Sequence, residues 1–461
     1  MNVVKALRCD QSESRSSVST QNACKLCAPL GASIVFRGIE NCVPLIHGSQ
    51  GCSTYIRRYV ISHFREPIDI ASSNFSESSA IFGGGDNLKT ALDNLTRQYA
   101  PAAIGIATTC LSETIGDDVR LYIEQYRKER KTRSIPSIIH ASTPSYSGTH
   151  MEGFHAALRA TIEALAEGGA CEGTINLLPG FVSAEDLRHL KEVLSGFGIG
   201  FTMLPDYSET LDGESWADYQ KLSAGGTPIQ SIRRMGRALA TIQLGRGLGT
   251  VRTAAAYLEE ACGVRAVTLG LPIGIRGTDA FFDAITQMSG IGLPAKYAKE
   301  RGRLVDAYID GHKYVFGKRA VIYGEADFVA AMAAFLDEIG MVPALCATGA
   351  ATGRVRETIL SNLEHSRPEN VQVFEDADFV GMLEACRAIQ PDIVIGNSKG
   401  YFLSRKLGVP LVRVGFPIHD RIGGQRILHT CYRGTQQLFD RIVNALMEAG
   451  QEGSEVGYSY I

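Results

Sequence analysis

The segment Ile104-Gly-Ile-Ala-Thr-Thr-Cys-Leu-Ser-Glu-Thr114 runs from a short apolar stretch into small polar residues and then a thiol. A run of this kind, bounded by turn-forming residues, reads as a buried strand whose carboxyl end carries Cys110. Similar runs alternate with helical patterns from about residue 30 to about residue 430, the signature of parallel sheets covered by helices. Three such units are expected. The first uses Ser33–Phe36, Pro44–His47, Ile104–Thr108 and Pro136–His140 as strands, with helices near Asn87–Tyr99 and Asp117–Arg130, and leaves through a helix at His150–Leu165. The second has strands at Thr174–Leu178, Gly200–Leu204, Ala238–Leu244 and Arg265–Leu271, with helices at Ala184–Gly196 and Thr250–Cys262. The third has strands at Ala320–Tyr323, Pro343–Ala347, Val371–Phe374, Asp392–Gly396 and Pro410–Val414, and Arg433–Ala449 closes the chain as a helix. Asp206–Pro228 reads as the longest irregular stretch. The expected organisation is a flexible N-terminal segment 1–22, an α/β domain 23–165 carrying the thiols considered next, a middle α/β domain 166–310, and a third α/β domain 311–461 with its C-terminal helix.

A chain of 461 residues, 45% hydrophobic and 21% charged, can bury cores of that size. A net charge of −3 offers no overall basic surface, which argues against nucleic acid as a partner. The first twenty residues lack the apolar core of a signal peptide, and no later stretch has the length of a membrane span, so a cytoplasmic protein without a membrane partner is expected. In the reducing cytosol eleven cysteines are not expected to form structural disulfides, which leaves metal binding or burial to account for them.

Cys27 stands in Cys27-Ala-Pro-Leu-Gly-Ala, Cys52 in Gly48-Ser-Gln-Gly-Cys52, and Cys110 in Ala107-Thr-Thr-Cys110. All three are expected at strand ends or in the loops that follow, where side chains from several loops converge beyond an open sheet. Neighbouring glycine and small residues would let backbone amides approach sulfide atoms. The spacing is too wide for a zinc knuckle. A cubane [4Fe-4S] cluster needs four ligands where this group supplies three thiolates, so the remainder must come from Ser145, in Ser142-Thr-Pro-Ser145-Tyr, or from another chain. Cys9, Cys42, Cys171, Cys262, Cys346, Cys386 and Cys431 lie singly and read as small buried hydrophobes. Cys24-Lys-Leu-Cys27 is a lone CxxC, a weak indication of a redox or metal pair.

These segments resemble the β subunit of the nitrogenase component 1 superfamily, whose members share three Rossmann-like α/β domains with parallel sheets flanked by helices. The family's three β-chain cysteines and following serine are spaced by 25, 58 and 35 residues, and Cys27, Cys52, Cys110 and Ser145 reproduce those intervals. Tyr55-Ile-Arg-Arg-Tyr, Ser62-His-Phe-Arg-Glu-Pro and Ile81-Phe-Gly-Gly-Gly are similar to the family's first domain; Val394-Ile-Gly-Asn-Ser-Lys, Val414-Gly-Phe-Pro and Asp420-Arg-Ile-Gly-Gly-Gln are similar to its third. The resemblance implies that the three cysteines are ligands of an eight-iron P-cluster shared with an α-type partner, that Ser145 is an oxygen ligand on oxidation, and that Tyr55 lies beside the cluster. Leu244 and Val414–Phe416 stand where α-type chains place their cofactor ligands, so this chain is not expected to hold the active-site cluster itself. His47, His63 and His419 are expected to be structural. Gly83-Gly-Gly85 lacks the Lys-Ser/Thr of a P-loop and reads as a tight turn, while Arg57 and Arg58 could neutralise cluster or docking charge or be simply solvated.

The implied activity is that of an oxidoreductase subunit in an α2β2 heterotetramer, served by a transient ATP-hydrolysing iron protein. Methylthio-alkane reductase is the first reading, on the complete Cys27, Cys52, Cys110 and Ser145 set in a short chain. A cofactor-assembly scaffold β chain is the second, on local phrases such as His47-Gly-Ser-Gln-Gly-Cys52. A dinitrogenase β chain is the third, and a sugar- or nucleotide-binding α/β protein without metal is the alternative to all three.

Overall fold

The computed structural model describes residues 22–130, 135–246 and 252–455. The expected N-terminal segment therefore lies outside the described residues except for Asn22, as do Cys9 and the start of the helix expected at Thr250. Among the described residues the strands form three sheets in which every pairing is parallel. The first contains β1 (Cys42–His47), β2 (Ala71–Ser72), β3 (Ala103–Thr108) and β4 (Ser137–Ala141), in the order β2-β1-β3-β4. The second contains β5 (Ile175–Leu178), β6 (Phe201–Met203), β7 (Ala240–Leu244) and β8 (Arg265–Leu269), in the order β6-β5-β7-β8. The third contains β9 (Arg319–Gly324), β10 (Val342–Thr348), β11 (Gln372–Phe374), β12 (Ile393–Gly396) and β13 (Leu411–Arg413), in the order β11-β10-β9-β12-β13. Every residue of β1, β3, β5 and β7 is buried, as parallel strands covered by helices on both faces require.

In each sheet the chain leaves a central strand towards one edge and then returns to its other side. This puts a switch point between β1 and β3, between β5 and β7, and between β9 and β12. Crevices beyond the carboxyl ends of such strand pairs are where open α/β sheets bind ligands.

One expected strand is corrected. Ser33–Phe36 lies within a helix, Ala28–Arg37, that precedes the first strand. Its Ser-Ile-Val-Phe run resembles a strand because all ten residues of the helix are buried, which erases the 3.6-residue polar alternation that marks a surface helix. Pro29 at its start fits a first helical turn. Helices over Gln50–Phe64, Gly274–Ser289, Ala295–Val315, Ala326–Glu338 and Phe379–Ile389 were not expected from the sequence. The first of these is rich in β-branched and aromatic residues, and Ala326–Glu338 is buried along nearly all its length, so neither shows a strong helical signal.

The helix Ala28–Arg37 crosses His150–Leu165 at very short range. A Cβ on Gly31 would lie 1.7 Å from the His150 carbonyl oxygen, and one on Gly153 would lie 1.9 Å from that of Ala28. Thr149 starts the second helix with a capping box, its hydroxyl accepting from the Met151 amide while Glu152 reaches back. Farther along, buried Asp186 joins the second unit to the chain's last helix. It accepts the His429 and Thr430 amides at 2.7 and 2.9 Å, and contacts His429 Nδ1 at 2.8 Å. Burial opposes the charge on Asp186, but His429 and these amides outweigh it and hold the carboxyl at about 2. No described helix is long and apolar enough to cross a membrane.

Gly153→Ala should destabilise the chain by about 3 kcal/mol or more, because rigid backbone on both sides leaves the methyl group no way out. Gly168→Ala, where a Cβ meets nothing within 4 Å, should leave stability within about 0.5 kcal/mol. Denaturant unfolding of the two variants measures both.

Candidate functional site

Cys52 and Cys110 follow the two strands that flank the first sheet's switch point. Cys52 is the third residue of the helix Gln50–Phe64, entered from β1 through Gly48 and Ser49. Cys110 opens the short helix Cys110–Thr114 immediately after β3 and Thr109. Cys27 departs from expectation, because it follows no strand: it is the N-cap of the buried helix Ala28–Arg37. It reaches the same rim because that helix is packed against His150–Leu165, whose entry loop comes from β4.

Ser145, in that loop, joins two of the thiols. Its amide donates to Cys110 Sγ at 3.2 Å. Its hydroxyl accepts the Ala28 amide at 3.1 Å and donates to the Cys27 sulfur. The loops after β1, β3 and β4 are also stitched to each other. Thr109 Oγ1 donates to the His47 carbonyl at 3.1 Å, and Thr143 donates twice to Thr108, from its amide to Oγ1 at 2.8 Å and from its hydroxyl to the carbonyl at 2.7 Å. Gly48 permits this contact, since a Cβ there would lie 2.3 Å from Thr109 Oγ1. Ser49 completes the set, its hydroxyl donating to Cys52 Sγ at 3.6 Å.

Cys27, Cys52 and Cys110 are all unpaired and half-buried. Burial raises the Cys27 thiol above its ordinary value, the Ser145 hydroxyl opposes this, and Cys110 and Cys52 raise it further, so both lie within electrostatic reach of the Cys27 sulfur. Among the described residues no three His, Cys, Asp or Glu side chains are close enough to hold one metal ion. Three thiols on a common rim, spread too widely for a single ion and already accepting N–H and O–H donors, fit a polynuclear iron–sulfur cluster. Exposed Tyr55, Leu111 and Tyr146 belong to the same segments and leave apolar surface beside the thiols.

Cys24 does not join this group. It is buried in the core of the third unit with Tyr323 and Phe379, and burial pushes its thiol up to about 12, so Cys24 and Cys27 do not act as a CxxC pair. His47 is buried between Ser73 and Asp117, at 3.1 Å from each. Gly83–Gly85 form the turn between two helices, and the Gly84 amide donates to Asp117 at 3.0 Å. Arg57 Nε donates to the Ile68 carbonyl at 2.9 Å, and His419 is exposed. Leu244 and Val414–Phe416 bring no metal-binding side chain; Phe416 packs against His63, Phe64, His150 and Phe181. The cavity there, lined by His63, Phe181, Phe416 and His429, has about 30 Å³ of free space, room for water but not for a cofactor of several heavy atoms. A larger groove of about 690 Å³, lined by Tyr308, Phe316 and His365, includes none of the thiols. His150, Glu325 and Lys399 surround the segment leading into Cys27, a role no sequence signal gave: His150 and Glu325 carry no local motif, and Lys399 ends the Val394–Lys399 stretch without any mark of this contact.

A family model described as nitrogenase component 1 type oxidoreductase matches residues 27–447. The chain is 36% identical to the nitrogenase molybdenum-iron protein beta chain of Clostridium pasteurianum over 93% of each chain. It is 35% identical to that of Frankia alni, over 93% of this chain and 83% of the relative. Among solved structures, nitrogenase Cp1 at pH 6.5 superposes with a TM-score of 0.93 at 34% identity, covering 98% of both chains. A second chain, from nitrogenase Cp1 at pH 5, shares the fold with a TM-score of 0.68 at 17% identity.

His63 gives the site region a measurable pH signature. Its Nδ1 accepts the Ile418 amide at 2.9 Å, and burial pushes its pKa from 6.5 down to about 3. Between those values the unfolded chain binds a proton that the folded chain refuses, so stability is lost as the pH falls through this window. His63→Gln should make the slope of unfolding free energy against pH shallower there, by up to about 1.4 kcal/mol per pH unit. Urea titrations at several pH values measure the slope.

Proposed function

The chain belongs to the nitrogenase component 1 type oxidoreductases as a β-type subunit, and on that footing we propose that it relays electrons to an α-type partner through a cluster at their shared boundary. The observation that carries this reading is the convergence of Cys27, Cys52 and Cys110 on one partly open rim, with Ser145 bonded to two of them. These three thiolates and Ser145 would hold this chain's half of an eight-iron P-cluster, and cysteines of the partner would hold the other half. When bound, such a cluster supplies one-electron storage and transfer. Ser145 keeps its amide on Cys110 and its hydroxyl on Cys27, which fixes both sulfurs without depending on the metal. The apolar side chains of Tyr55, Leu111 and Tyr146 would be covered by the partner, which excludes water from the junction. An α2β2 assembly, fed by a transient ATP-hydrolysing iron protein, follows from the family, with 23–165 as the domain that carries the ligands.

Within this family we assign the complex to the reduction of methylthio-alkanes. The complete set of three cysteines and Ser145 suits a relay that turns over rather than an assembly scaffold. Dinitrogen reduction is the second reading, favoured by the identity to the molybdenum-iron beta chain of Clostridium pasteurianum over 93% of its length. The two readings share everything described for this chain and differ at the partner's active site.

Complex reconstituted anaerobically with its iron protein should release methanethiol together with ethylene or methane from methylthio-alkanes; ammonia from dinitrogen without those products would transfer the assignment to the second reading. Cys52→Ala should lower the iron content of the complex and cut either activity by about tenfold or more. Unchanged iron in Cys52→Ala, measured by elemental analysis, would contradict the ligand role.

A further inference from the structure

The third sheet also has a switch-point crevice, and the chain fills it with its own N-terminal strap. Residues 23–26 run across the carboxyl ends of the third sheet immediately before Cys27. The Cys24 amide donates to the Ala377 carbonyl at 2.9 Å, in the turn after β11. After β10, Gly349 leaves just enough room, since a Cβ there would sit 2.3 Å from the Cys24 oxygen. After β9, Glu325 is met by His150 Nε2 at 3.1 Å, while His150 Nδ1 accepts the Leu26 amide at 3.4 Å and the His150 amide donates to the Leu26 oxygen at 3.0 Å. After β12, half-buried Lys399 donates to the Ala23 oxygen at 2.6 Å and to the Lys25 oxygen at 3.3 Å. Glu325 and Lys399 therefore flank the β9/β12 switch point, where a bound ligand would otherwise lie.

We infer that Lys399 is a positioning residue for the cluster site, clamping the strap that fixes Cys27 and placing a half-buried positive charge within electrostatic reach of the Cys27 sulfur. The inference rests on the ligand role given to Cys27 above. Two functions are combined in one ammonium group. As a clamp, it satisfies two strap carbonyls that would otherwise lie beside a sheet rim without a donor. Burial lowers the pKa of the ammonium from its ordinary value, and Cys24, Glu325 and Cys27, all within electrostatic reach, oppose that shift. A fixed cation beside a cluster favours the state with the added electron, and partial burial protects that effect from screening by salt. Glu325 tempers the charge but is itself engaged by His150.

The test uses the complex purified anaerobically with its α-type partner, comparing wild type, Lys399→Met and Lys399→Arg. Iron content, amide hydrogen exchange over residues 23–28 and an electron-paramagnetic-resonance redox titration are read on each. Lys399→Met should exchange faster over the strap and shift the cluster's midpoint potential to more negative values. Lys399→Arg should keep the potential close to wild type even where the strap loosens, because the charge remains while the fit changes. If Lys399→Met does not assemble, Lys399→Gln, which keeps an N–H donor without the charge, should assemble and show the negative shift. A potential unchanged in Lys399→Met or Lys399→Gln with iron retained overturns the inference and leaves the relay standing. Absence of iron from the wild-type complex overturns both.

Discussion

Three thiols from three separate stretches of chain must be held on one rim without being buried completely, and the rest of the structure follows from that requirement. Two of them come to the rim because parallel strands end there. The third cannot, since no strand precedes it; it is carried by a helix sunk so deeply that glycine is needed where it crosses its neighbour. Ser145 then ties this independent arrival to the strand-borne Cys110 through one amide and one hydroxyl. Precision at the rim therefore comes from rigid elements and short stitched loops rather than from a flexible binding loop.

The same geometry separates the roles of the three sheets. The first presents thiols at its switch point. At the corresponding place the third receives residues 23–26 of the chain itself, so that Cys24 is plugged into one unit while Cys27, three residues later, faces another. Aromatic side chains around Phe416 close the space where the units meet to about 30 Å³. This division suits a subunit whose chemistry lies at its boundary with a partner and not in its centre.

Much of this was legible in the sequence because the signals were local. Buried runs such as Ile104–Thr108 and Ile393–Gly396 end in glycine or small polar residues, and the helices His150–Leu165 and Ala184–Gly196 begin at capping boxes on Thr149 and Ser183. The intervals between Cys27, Cys52, Cys110 and Ser145 pointed to the candidate site through the family resemblance. Ser33–Phe36 was misread because complete burial removes the polar face from which a helix is recognised. Lys399 stood inside the Val394–Lys399 stretch, but its contact with the strap, like those of Glu325 and His150, could not be read there, since these contacts join residues more than a hundred positions apart and a strap has no sequence pattern of its own.

The most direct measurement is a crystal structure of the anaerobic complex with the α-type partner, with data collected on both sides of the iron absorption edge. A multi-iron anomalous peak is expected at the boundary between the chains, bonded on this side to Cys27, Cys52 and Cys110. Iron found elsewhere in this chain, or these three thiols meeting solvent or protein with no iron between them, would contradict it.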